Sequence, residues 1–335
     1  MSNNPLIQDL HKNEAFPPTS VALPTGGRWY SDDMYAEGVT PKDIQVGILG
    51  IIAEQNYRDP WLVLSGEAIP RMFETVCPSI LKPNDLSNLD LEAILLGSRL
   101  ATYGPKMELD HKCTATVEKP AEKEGDEPVK EACGHENKIT LDINEHILRY
   151  DVLDDAIIEE RFVHQLDILP QIVHLRLMPY HRTIEQMKEG VMQEKKMDSL
   201  SEVKMEDLII DAEVINQYTT IIDMASDSAL DNIAAGIYGI ETTNGELVDD
   251  PAFIREWLLA LPGTEAENMA KKINDNMLWA QSFAEITYKC GDCGQENKFR
   301  LELDANRLFG QAGVSEQPKK PSRKSRQGAT KRKIR

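Results

Sequence analysis

The residues through which this chain could do chemistry are cysteines, and their placement is repeated. Lys112-Cys113 followed by Cys133-Gly134-His135-Glu136-Asn137-Lys138-Ile139 has a counterpart in Lys289-Cys290-Gly291-Asp292-Cys293-Gly294-Gln295-Glu296-Asn297-Lys298-Phe299. Each copy reads Lys-Cys, a spacer, Cys-Gly-x-Glu-Asn-Lys, then an alternating apolar strand. In the second copy the two-residue spacer lets both thiolates of a tight knuckle face one metal, with a glycine turning the backbone after the second cysteine. The first copy widens that spacer to nineteen residues. One knuckle supplies two ligands and a closed tetrahedral site needs four, so Cys113, Cys133, Cys290 and Cys293 are expected to complete one structural zinc. The alternatives are four ordinary buried thiols, two disulfides, or a site in which His111 or His135 replaces a thiolate; by default both histidines are flanking polar residues.

Other chemistries have no comparable signal. The chain lacks G-x-S-x-G, H-E-x-x-H, a phosphate-binding Walker loop and a dinucleotide fingerprint. Gly26-Gly27 is not a phosphate loop, because no Gly-Lys-Ser/Thr follows and no helix opens there. Aspartate and glutamate are too abundant for a catalytic pair to stand out. A zinc held by four thiolates keeps no position for water, so the chain is expected not to be an enzyme; a zinc hydrolase would need three ligands and an open site.

Composition bounds the class. At 335 residues and 41% hydrophobic content the chain can bury sizeable cores. No run approaches eighteen apolar residues, and the start MSNNPLIQDLHKNE lacks the basic and apolar regions of a signal peptide, so a soluble protein that stays in the compartment where it was made is expected. Five cysteines in that setting favour metal binding or free thiols over disulfides; Cys77, outside the repeat, reads as a core residue. The net charge of −19 hides an asymmetry: nine of the last seventeen residues are Lys or Arg and none is acidic, leaving about −28 on residues 1–318. A body so acidic repels nucleic acid and anionic membrane. The tail is expected to be disordered, either solubilising or a tether to an acidic surface. A zinc-ribbon nucleic-acid module using this tail is the alternative function.

These residues must be positioned by mostly helical α+β structure. Residues 1–20 read as an irregular arm and 21–58 as a small β unit: strand, glycine turn and strand over Val21 to Tyr30, then an alternating strand over Asp43 to Leu49. Residues 59–105 read as a helical pair, with Trp61, Leu62, Met72, Phe73 and Val76 on one apolar face and Asp90 capping the second helix before a stop at Tyr103-Gly104. Residues 106–144 plus 286–310 form the knuckles, with 114–132 a solvated, charged loop inside the first. Residues 145–285 read as a helical insert. Within it, Asp151 to Leu169 and Glu185 to Met224 have helical spacing, Ile172 to Pro179 is strand or extended, and Asn244-Gly245 and Asp249-Asp250-Pro251 mark a loop before the last helices. Residues 311–335 are the basic tail.

Val21-Ala22-Leu23-Pro24-Thr25-Gly26-Gly27, Leu64-Ser65-Gly66-Glu67-Ala68-Ile69, the run from Leu89-Asp90 through Leu95-Leu96 and Arg99 to Tyr103-Gly104, and the cysteine knuckles resemble the baseplate hub proteins and hub assembly chaperones of contractile-tailed bacteriophages. The resemblance covers about residues 20 to 310. It implies a protein of tail morphogenesis that acts by contact with other tail or hub proteins, the tape-measure protein among them, with no catalytic residues. The family usually shows a compact C-x-x-C in the first knuckle too, so the acidic insertion here is a departure.

Overall fold

The computed structural model describes residues 17–119, 129–147, 153–200 and 212–303. Most of the N-terminal arm and all of the basic tail lie outside the described residues. The fold is mostly helical α+β, with small sheets and two hydrophobic cores sharing one helix.

The first core is built near the N-terminus. β1 (Thr19–Val21) pairs antiparallel with β2 (Ile44–Val46). The second strand expected at Arg28 to Tyr30 is absent: Gly26 and Gly27 both have positive φ and continue a turn, Gly26 N–H bonding Leu23 O at 2.8 Å. The chain then returns through a single 3-10 turn at Asp32–Met34 to deliver β2 beside β1. α1 (Ile51–Arg58) follows where only β structure was expected. The single helix expected from residue 59 is two: α2 (Pro60–Ser65), opened by Asp59 as cap and Pro60 at its first position and closed by Gly66 at φ +83°, and α3 (Ala68–Val76). That break alters the apolar face. Met72, Phe73 and Val76 are buried, whereas Trp61 on the short α2 is 80% exposed. Cys77 sits in this core, as its apolar neighbours suggested.

α4 (Asn88–Tyr103) is the wall between the cores. Leu91, Ile94 and Leu95 enter the first and Leu89 and Leu96 the second, so the helix is apolar around most of its circumference. Gly97 lets β1 lie directly on it: a Cβ there would sit 2.4 Å from Val21 Cγ2. The cap is Ser87, whose Oγ accepts from Asp90 N–H at 3.2 Å, and not Asp90. Asp90 is instead fully buried. It accepts from Thr25 N–H at 3.0 Å, Thr25 Oγ1–H at 2.6 Å and the Tyr30 hydroxyl, tying the glycine turn to the start of α4. Burial raises the pKa of this carboxyl, and these donors oppose the rise.

Two ribbons carry the cysteines. β3 (Lys106–Lys112) precedes β4 (Thr116–Lys119), β5 (Val129–Ala132) and β6 (Glu136–Asp142); β3 pairs with β6, and β4 with β5. The stretch expected to be a solvated loop therefore begins and ends as a two-stranded ladder. α5 (Ile143–Ile147) and α6 (Asp155–Phe162) lead to β7 (Val163–Gln165) and β8 (Ile172–Leu175). A helical hairpin follows, α7 (Tyr180–Leu200) and α8 (Ala212–Ala235), then β9 (Ile237–Glu241), β10 (Leu247–Val248), α9 (Pro251–Ala260) and α10 (Gly263–Ser282). The segment read as a helical insert thus contains an antiparallel four-stranded sheet, ordered β10-β9-β8-β7. Asn244-Gly245 turns its β9–β10 hairpin, and Asp250 caps α9 with Pro251 at the first helical position. The second ribbon, β11 (Glu285–Lys289) and β12 (Glu296–Arg300), returns the chain to the first. Met107, Leu109 and Leu141 of one ribbon and Ile286 and Leu301 of the other share the second core with Phe162, Val173, Ile237 and Ile273.

Candidate metal centre

Both knuckles are built by the same local bonds. Cys113 N–H donates to His135 O at 2.9 Å and Gly134 N–H to Cys113 O at 3.1 Å; in the second knuckle Cys290 N–H donates to Gln295 O at 2.9 Å and Gly294 N–H to Cys290 O at 3.0 Å. Gly134 and Gly294 have φ of +67° and +69°, a left-handed turn that a glycine makes without strain. The nineteen-residue spacer does not separate Cys113 from Cys133. The ladder that starts at Thr116 and ends opposite at Ala132 closes it, with Cys133 N–H on Ala115 O at 2.8 Å. Cys113-Thr114-Ala115 and Cys133 thus stand where Cys290-Gly291-Asp292 and Cys293 stand, with the hairpin inserted before the second cysteine.

The four sulfurs converge. Cys113 Sγ lies 3.7 Å from Cys293 Sγ, Cys133 Sγ lies 3.9 Å from Cys290 Sγ, and all four fall within 4.8 Å of one another. Four thiolates at about 2.3 Å from one ion stand about 3.8 Å apart in a tetrahedron, so this donor set fits a single metal. All four are free thiols. Cys113 and Cys290 are buried, and Cys133 and Cys293 are half-buried at the rim.

Histidine takes no part in the cluster. His111 is committed elsewhere: Nδ1 lies 2.9 Å from the Tyr288 hydroxyl and the ring stacks on Phe299 at 4.3 Å, joining one ribbon to the other. His135 contributes its backbone carbonyl to the knuckle.

Two asparagines lock the halves together, and they are the functional residues that motif reading passed over. Asn137 Oδ1 accepts from Gly291 N–H at 2.8 Å, and Asn297 Oδ1 accepts from Thr114 N–H at 3.0 Å. Each asparagine therefore holds the residue after the first cysteine of the other knuckle. Each also donates from Nδ2 to a carbonyl of its own knuckle at 3.0 Å, His135 O and Gln295 O respectively. Asn137 Nδ2 additionally points at Cys290 Sγ, 3.6 Å away. The signal was in the sequence, since Glu-Asn-Lys recurs after both knuckles, but the strand alternation gave no reason for a buried amide.

Electrostatics call for a cation. Burial opposes charge on Cys290, yet the N–H groups of Cys293 and Asp292 with the Asn137 amide bring its thiol down to about 6. The His135 N–H favours the Cys133 thiolate, but burial and the three neighbouring sulfurs outweigh it and push that thiol up to about 12. Four thiolates this close cannot all ionise unaided, and a divalent ion removes the repulsion. Replacing Asn137 or Asn297 by Ala is expected to weaken metal retention roughly 10- to 100-fold, read by competition with a chromogenic chelator; unchanged retention in both would show that the asparagines do not support the ligands.

The fold and site define a mostly helical α+β protein whose two ribbons meet at a four-cysteine centre. The chain belongs to the T4 bacteriophage base plate protein family, whose model matches residues 56–309, from α1 past the last strand. Neither curated proteins nor solved structures gave a match.

Proposed function

We propose that this chain is a non-catalytic protein of the baseplate hub, or a factor that assembles the hub, in which one zinc fixes the two ribbons against each other. The observation that carries the reading is the convergence of Cys113, Cys133, Cys290 and Cys293, drawn from two distant segments of a family match that spans both knuckles. Soft thiolates in tetrahedral array suit zinc, and four of them leave no position for a reacting water, so the metal's work is structural. The energy of binding is then energy of folding, and it holds the sheet and helical hairpin between the knuckles in a fixed relation to the N-terminal core.

The partners in this reading are other tail or hub proteins, the tape-measure protein among them, met in the host cytoplasm during assembly. No helix among the described residues is long and apolar enough to cross a membrane. The ribbons offer little to nucleic acid. Lys112 pairs with Glu136 at 3.2 Å and Lys298 with Glu285 at 2.9 Å, so two of the basic residues beside the knuckles already face a carboxylate of the neighbouring strand. The test is a census of purified particles by quantitative mass spectrometry beside infected-cell lysate. A fixed copy number per particle assigns a hub subunit; abundance in cells with absence from particles assigns an assembly factor. A particle yield unchanged when the gene is deleted contradicts both.

A further inference from the structure

A cleft of about 380 Å³ opens where the N-terminal segment meets the four-stranded sheet. One wall is Trp29 and Tyr30, just after the glycine turn, with Lys82 beyond α3. The other is Arg176 and His181, between the end of β8 and the first turn of α7, with Tyr238 of β9. Aromatic walls around a few polar groups are the usual make-up of a small-ligand site.

Arg176 is the unusual group in this cleft. The chain carries 56 acidic against 37 basic residues, and its other described arginines are engaged accordingly. Six pair with a carboxylate, from Arg28 on Asp155 at 2.7 Å to Arg300 on Glu92 at 3.2 Å. Arg99 and Arg161 lie over the rings of Tyr103 and Trp279. Arg176 has neither kind of partner among the described residues. Its Nε donates to Ala235 O at 2.9 Å, while Nη1 and Nη2 make no hydrogen bond to the described residues. Burial pulls its pKa below the ordinary value, and Asp85 opposes that only through space. The charges nearby are already committed: Lys82 Nζ bonds Asp33, and His181 Nδ1 lies 3.3 Å from Asp85 Oδ1. Asp249, exposed on the rim, makes no ion pair among the described residues.

The chemistry of the ligand follows from that arginine. With Nε engaged, the guanidinium still presents Nη1 and Nη2 end-on, a fork whose spacing matches the two oxygens of a carboxylate. One positive charge without a counter-ion matches a monoanion. Phosphate, closer to two negative charges at neutral pH, is repelled more by Asp85 and Asp249. The apolar walls are held in place, Trp29 against the Phe162 ring at 4.9 Å and the Tyr30 hydroxyl on Asp90. We propose that this cleft binds a carboxylate carried beside an aromatic or aliphatic group, the acid seated end-on at Arg176 and the apolar part against Trp29 and Tyr238. Two sources supply that chemistry: a free organic acid or chain end, and an acidic side chain within a bound protein segment. The proposal goes beyond the baseplate reading and does not rest on it.

The test is saturation-transfer NMR on the full-length, metal-loaded protein at physiological salt. The probes are N-acetylphenylalanine, its neutral amide, and N-acetyl-Phe-Glu amide, whose one acid is a side chain; inorganic phosphate serves as competitor. Wild type is expected to bind at least one of the acids saturably below about 10 mM, and at least tenfold more tightly than the neutral amide. Tighter binding of N-acetylphenylalanine assigns a free acid or chain end, tighter binding of the dipeptide an acidic side chain, and equal binding shows that the carboxylate alone is read. Arg176→Gln, which keeps a donor for Ala235 O, is expected to bind at least tenfold more weakly at an unchanged Tm. If that variant does not fold, Asp249→Lys on the exposed rim decides: it is expected to bind the acids at least threefold more tightly. Absence of saturation by both acids, equal binding of acid and neutral amide, displacement by phosphate at a tenth of the acid concentration, or wild-type affinity in the folded variants overturns the proposal.

Discussion

Cys290→Ser/Cys293→Ser protein is expected to emerge from purification without zinc and to lose roughly 5 to 10 kcal/mol of stability, since structural zinc contributes about 10–16 kcal/mol of apparent binding energy against a typical total near 5–15. The physical reason lies in the ribbons. β11 and β12 are five residues each, and their contact with β3 and β6 is closed at the tip by the sulfur cluster and the two crossed asparagines. Cys113→Ser/Cys133→Ser should do the same, although those residues stand far away in sequence. The four-fold variant should be no less stable than either pair, because one shared site can be lost only once. Metal content by plasma mass spectrometry and thermal unfolding read both quantities. Half the zinc surviving in each double variant, with additive losses, would mean two sites and not one.

Asp90→Ala is expected to cost about 3–5 kcal/mol without touching the metal. Its carboxylate gathers three donors of the glycine turn at the start of α4, and removal strands the Thr25 N–H, the Thr25 hydroxyl and the Tyr30 hydroxyl in a buried site. Tyr30 in turn accepts from Ser87 N–H at 2.8 Å, so the helix cap loosens with it. Tyr30→Phe removes one of those bonds and should cost about 1 kcal/mol. Urea unfolding with zinc content followed in parallel separates this from the cysteine effect: the zinc should stay at its wild-type level until global unfolding. Stability within 1 kcal/mol of wild type for Asp90→Ala would show that water replaces the carboxylate.

The sequence revealed features repeated in it and hid those that arise from distant contacts. The gathering of the four cysteines was legible because Lys-Cys and Cys-Gly-x-Glu-Asn-Lys occur twice, and Leu91 to Tyr103 was legible as a helix because its apolar residues are dense and its stop is a glycine, although the helix begins three residues earlier than expected. Asp90 was visible as an acid near a helix start, but its true work depends on Thr25 and Tyr30, 65 and 60 residues away. The ladder of β4 and β5 was missed because its residues are charged: Glu118 faces Lys130 across it, a pairing that composition reads as solvated loop. β9 was missed because Ile237-Tyr238-Gly239-Ile240-Glu241 is short and broken by a glycine, over which the Leu247 side chain of the neighbouring strand lies, 2.8 Å from where a Cβ would stand.

The central claim is that two knuckles of one chain share one zinc, and X-ray absorption at the zinc edge on the purified protein tests it most directly. The expected spectrum shows one zinc per chain with four sulfur scatterers at about 2.3 Å and no nitrogen or oxygen in the first shell. Zinc at half occupancy per chain, a mixed sulfur and nitrogen shell, or iron in its place would contradict it.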